Sequence, residues 1–193
     1  GLGGGMVIPF IRRFETGYEE GARSANPRIR VIQNYVGVTD AAWNNPGEGK
    51  ELSLAQIDKG ADVIFTAAGN SGLGAFDAVE QKGTEAGRAR NFVIGVDSNQ
   101  NGVKPGYVLT SMVKRVDNAV YDIVRDVVQG SFKGGFHAFG LDSEGVGYVG
   151  DEFNRDLVSP QALSAHAAAK KKVLARQVTA TDRQPQANSG SAT

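Results

Sequence analysis

Asp97 stands directly after Val96, at the end of the continuous apolar run Phe92 to Val96. A carboxylate in that place can accept two hydrogen bonds from vicinal hydroxyls, as sugar binders require. Asp-Ser-Asn, as at 97–99, is also a common turn and capping combination. Lys114 follows a second apolar run, Val108 to Met112, where a helix is expected to begin. The dipole disfavours a cation at a helix N-terminus, so Lys114 needs another reason to be there. A polar ligand, Asp97 itself, or solvent beside Arg115 would each serve. The segment Gly69-Asn70-Ser71-Gly72 links a buried run to a helical one. Free N–H groups and the positive end of a helix dipole make that place a cradle for oxygen atoms. Ser71 fits equally well as the N-cap of the helix. No Lys-Ser/Thr pair of a phosphate loop follows, so nucleotide hydrolysis is not indicated. Trp43, the single tryptophan, lies in a polar loop with Asn44, Asn45 and Pro46. Exposed there, it would stack on a planar ring or pin the loop.

Catalysis finds little to work with. The chain has no cysteine, which removes thiolate chemistry, disulfides and Cys-ligated zinc together. His137 and His166 are the only histidines, and neither has a partner at metal-ligand spacing. No Ser/His/Asp set assembles, so surface or packing roles are expected for both. No metal, cofactor or enzymatic activity is expected. Lys+Arg and Asp+Glu balance at 21 each. Nucleic-acid binding draws most of its affinity from phosphate neutralisation by a basic surplus, so nucleic acid is a poor candidate partner. No apolar run approaches the roughly 20 residues needed to span a bilayer.

The elements that must position these residues alternate. Pro9 suits a first helical turn, and Ile11, Phe14, Tyr18 and Ala22 form one apolar stripe behind it. Asn26-Pro27 ends that helix, and residues 29–36 read as a strand. A helix through Leu52, Ala55 and Ile57 follows, then the apolar strand Ala61 to Ala68, of the kind buried on both faces of a parallel sheet. A third helix runs through Phe76 and Val79. Strands at 92–96 and 108–112 come next, then a helix over 113–130 with Val116, Val120, Ile123, Val124 and Val127 on one side. This alternation predicts an α/β fold with a doubly wound parallel sheet. Such sheets bind ligands at the carboxyl ends of their strands, which points to Gly69–Gly72 and Asp97. Ser159-Pro160 opens an Ala/Lys-rich helix to about Arg176, and the polar stretch 177–193 reads as disordered.

The opening Gly1-x-Gly3 partly matches a dinucleotide fingerprint, but Met6 occupies the third glycine position. No acidic residue closes a second strand where ribose hydroxyls would need one. Close backbone packing at a strand end explains these glycines better. The first residues read as a strand entered midway, so the chain is expected to be a fragment.

Several blocks resemble the basic membrane protein family of ABC-transporter substrate-binding lipoproteins. They include Ile8-Pro9-Phe10-Ile11-Arg12-Arg13-Phe14 with Gly17-Tyr18, then Gly60-Ala61-Asp62-Val63-Ile64-Phe65, then Ala68-Gly69-Asn70-Ser71-Gly72-Leu73-Gly74. Ile94-Gly95-Val96-Asp97-Ser98-Asn99-Gln100 and Val108-Leu109-Thr110-Ser111-Met112-Val113-Lys114-Arg115-Val116-Asp117 follow in the family's order, and the resemblance covers about residues 1–176. It implies a type I periplasmic-binding-protein fold, with a ligand closed between two lobes. It further implies a solute delivered to an ABC permease, a purine nucleoside being the best single ligand. Residues matching Asp97 and Lys114 would hold ribose hydroxyls, and Gly69–Gly72 would lie against the ligand. Location would be the periplasm or the outer face of the cytoplasmic membrane, with attachment only through an N-terminal lipid anchor absent from this chain. Residues 1–110 would form the second lobe, 111–134 a hinge crossing and a helix belonging to the first lobe, and 135–176 the return strands and last helix. Two positions differ from many relatives, which have Gly or Thr at 70 and a carboxylate at 99. A transcription regulator's effector-binding domain, which can share this fold, is the competing expectation. A Rossmann-type oxidoreductase is the weakest, given the failed fingerprint.

Overall fold

The computed structural model describes residues 1–179 and residue 181, apart from the side chains of Glu85 and Arg88. Most of the polar tail expected to be disordered therefore lies outside the described residues. Six strands form one sheet in the order β2-β1-β3-β6-β7-β8. They are β1 (Leu2–Met6), β2 (Gln33–Gly37), β3 (Val63–Ala67), β6 (Phe92–Asp97), β7 (Val108–Lys114) and β8 (Val146–Tyr148). A two-stranded hairpin, β4 (Thr84–Glu85) and β5 (Arg88–Ala89), stands apart. The first five strands of the sheet are parallel; β8 closes the edge antiparallel to β7.

Consecutive side chains on a central strand point to opposite faces, and each face meets its own helices. Ile64 joins Ala75, Phe76, Val79, Val93 and Val108 beneath α3 (Leu73–Lys82), with Ile57 of α2 (Pro46–Asp58) packed alongside. Phe65 joins Leu2, Ala67 and Val96 beneath α1 (Pro9–Ala25), which contributes Ile11, Phe14 and Tyr18. The two helices on the first face approach so closely that a Cβ on Gly74 would lie 2.1 Å from the Pro46 carbonyl oxygen. The predicted α/β fold with a parallel sheet is observed, with β8 added as an antiparallel edge strand.

Three expected boundaries move. The strand expected over 29–36 is Gln33–Gly37, paired parallel with β1. The strand expected to end at Met112 runs to Lys114, because β8 pairs with residues 112–114. The helix expected from 113 is accordingly α4, Val116–Val128. Lys114 is thus a strand-end residue, and the dipole argument for it does not apply.

α4 buries no residue. Its stripe leaves Val116, Val120, Val124 and Val127 more than half exposed. The last helix, α5 (Pro160–Leu174), also buries none, and is capped by the Ser159 hydroxyl accepting from the Ala162 amide. Among the described residues no helix is long and apolar enough to cross a membrane.

Candidate solute site at the carboxyl edge of the sheet

From β1 the chain goes first to β2 on one side, then to β3 on the other. Open α/β sheets bind ligands outside such a reversal, at the carboxyl ends of the strands. The turns collected there are the start of α1 after β1, Asp40–Trp43 after β2, Gly69–Gly72 after β3, and the ends of β6 and β7.

The edge carries two groups of side chains. In the first, Lys114 Nζ lies 2.5 Å from Asp97 Oδ1. The ammonium also sits 4.8 Å from the centroid of the Phe10 ring and 5.4 Å from that of Phe14. The rings pack edge to face at 5.0 Å. An ammonium over aromatic faces gains from their quadrupoles, so the rings and the carboxylate fix the lysine from different sides. Both members of the ion pair remain partly exposed (34% for Lys114 and 48% for Asp97), so water and salt weaken the pair and other groups can reach it. Phe10 is half exposed. The cluster thus offers an anionic acceptor, a cationic donor and an open ring face.

The second group surrounds Trp43. Its ring is half-buried, lies flat against Gly5 and joins the core beneath α1, so the freely exposed ring expected from the polar loop is not found. A Cβ on Gly5 would come within 2.3 Å of the indole, which explains a glycine at this strand end by close approach. Gly69, with φ +56°, places its backbone against Trp43 as well. Asn70 is exposed and donates to Asn44 Oδ1 at 3.3 Å.

Ser71 is fully buried. Its hydroxyl donates to the Ala42 carbonyl and accepts from the Asn45 amide, each at 2.7 Å. It is not a helix cap: the two bonds tie the Gly69–Gly72 turn to Ala42 and Asn45. Gly72 is buried beside it, while Gly69 is half-buried and Asn70 exposed.

A groove of about 490 Å³ opens beside Lys114, lined by Phe14, Met112, Val146, Tyr148 and His166 among others. His166 packs edge-on against Tyr148 at 4.1 Å. Burial and the nearby Lys170 hold its imidazole below the usual histidine range. His137 instead stacks on Phe132 and bonds the Lys133 carbonyl. Sequence reasoning missed the part played by Phe10. Half exposure on the first turn of α1 is not a property of residue type, and only its place before the Phe14 stripe hinted at it.

Residues 1–184 match the model of the Bmp family, described as ABC transporter substrate-binding protein PnrA-like. The chain belongs to that family. It is 34% identical over 154 residues to basic membrane protein D of Borreliella burgdorferi (strain JD1), covering 79% of this chain and 42% of that one. It is 30% identical over 190 residues to the ABC transporter nucleoside-binding protein BmpA of Lactococcus lactis subsp. cremoris, covering 93% of this chain and 52% of that one. A crystal structure of an ABC transporter solute-binding protein from Aeropyrum pernix K1 superposes with a TM-score of 0.80 at 25% identity, over 96% of this chain and 58% of that one. The chain thus spans about half the length of these relatives.

Proposed function

We propose that this chain supplies one wall of the cleft of an ABC-importer solute-binding protein, and that the solute is a purine nucleoside. The carrying observation is the Asp97–Lys114 pair set against the open face of Phe10 at the carboxyl edge of the sheet. Vicinal ribose hydroxyls donate to Asp97 and accept from the Lys114 ammonium. The Phe10 ring offers a planar base an apolar face. Gly69 and Asn70 border the solute, with Trp43 as the support beneath them. The name of the Lactococcus relative supports a nucleoside as the ligand.

Residues 1–110 form the second lobe on this reading. Residues 111–134 cross to a first lobe, which covers the bare stripe of α4, and residues 135–176 return. The whole protein works at the outer face of the cytoplasmic membrane or in the periplasm, held by a lipid anchor, and hands its solute to a permease without transforming it. Calorimetric titration of the full-length gene product with adenosine, guanosine and inosine tests this. Binding of at least one is expected, with a loss of about 100-fold or more on Asp97→Ala, since two hydrogen bonds to a charged group are removed. Absence of heat with all three would sink the nucleoside reading.

A further inference from the structure

Asp97 has φ +69°, a region that non-glycine residues enter only at a cost. The Ser98 amide donates to the Val96 carbonyl at 2.8 Å, which makes Asp97 the centre of a γ-turn of the rare, strained hand. Such a posture persists only where the surroundings over-determine it. Here a chain of bonds does so. The Val96 amide donates to Gln100 Oε1 at 2.8 Å, the Gln100 amide to Ser111 Oγ at 2.9 Å, and the Ser111 hydroxyl to Asn101 Oδ1 at 2.8 Å. Ser111 and Asn101 are both fully buried. A Cβ on Gly95 would fall 2.6 Å from Gln100 Oε1, so this packing requires the glycine.

The chain of bonds then leaves the turn. Asn101 Nδ2 donates to Asp151 Oδ2 at 3.1 Å, and Asn99 Nδ2 donates to the same oxygen at 3.0 Å. Asp151 is itself anchored, because its amide donates to Asn154 Oδ1 at 2.9 Å and Asn154 Nδ2 donates to the Leu109 carbonyl of β7 at 2.8 Å. Burial pushes the Asp151 carboxyl up. The bonds from Asn99, Asn101 and the amides of Phe153 and Asn154 outweigh that and hold it below the usual carboxylate range.

We propose that Asn101 is the positioning residue of the solute site, joining the turn that carries Asp97 to Ser111 of β7 and to Asp151 beyond β8. Asn101 touches no solute; it acts by keeping the Asp97 carboxylate turned toward Lys114. The proposal rests on the reading of Asp97 as a solute contact, and the test separates the two.

Asn101→Ala is compared with the unaltered protein in the full-length gene product. Three quantities are read: nucleoside affinity, thermal unfolding, and the HN–Hα coupling of Asp97, which reports its φ. Asn101→Ala is expected to change that coupling and to weaken binding about tenfold or more, as removal of a buried bonded group does. Amide exchange in β3 and α3 stays slow. An unchanged coupling and affinity would overturn the proposal. So would amide exchange that accelerates throughout the core together with the loss of binding, since that marks a general structural role. If the wild type binds no nucleoside, the functional reading falls and the coupling alone decides whether Asn101 sets the posture of Asp97.

Discussion

At the scale of single residues, polar groups near the strand ends divide into those the fold uses up and those it leaves open. Ser71 belongs to the first kind: its hydroxyl is spent on Ala42 and Asn45. Ser71→Ala leaves both backbone groups short of a partner and is expected to destabilise the chain by about 1–3 kcal/mol, measured by urea unfolding. Asp97 and Lys114 belong to the second kind, paired yet reachable. Asn99 shows how one position depends on another. Its amide donates to Asp151, so a carboxylate at 99 would face a like charge there instead. His166 is a group whose titration follows from its surroundings. Burial first and Lys170 second lower its folded value, so the unfolded chain takes up the proton earlier as pH falls. The stability this contributes is fully present above the ordinary histidine value of about 6.5 and declines as pH drops through the lowered one. NMR titration of the ring should give a midpoint below that of an unstructured peptide, and Lys170→Ala should move it upward.

At the scale of elements, the parallel strands were legible because Ala61–Ala68 and Phe92–Val96 are apolar without alternation, which only a sheet covered on both faces accommodates. Asp97 was legible as a strand-end carboxylate. What stayed hidden was decided by partners far away in the chain. β7 is longer than its apolar pattern because β8 pairs with residues 112–114. The burial of Ser71 and Trp43 depends on two turns meeting across the sheet edge, which spacing along either turn does not reveal. α4 was predicted from its valine stripe, yet no residue of the helix is buried. Val120→Ser with Val124→Ser should therefore change its unfolding free energy by less than about 0.5 kcal/mol. In the full-length gene product the pair should cost about 1.5 kcal/mol or more per valine, if a first lobe covers the stripe. Urea unfolding of both proteins checks the contrast.

At the scale of the whole molecule, this chain is a mostly parallel α/β layer structure of the PnrA-like substrate-binding family, spanning about half of its relatives' length. On the proposed function a cleft between lobes needs two walls, and the carboxyl edge would provide an acceptor, a donor and a ring face on one of them. Nucleoside affinity should accordingly belong to the two-lobed protein and be weak for these 193 residues alone. The most direct test is calorimetric titration of the full-length gene product and its Asp97→Ala variant with adenosine, guanosine and inosine. Saturable binding of at least one nucleoside is expected, lost by about 100-fold or more in the variant. Equal affinity in the two proteins, or no binding in either, would contradict the proposed function.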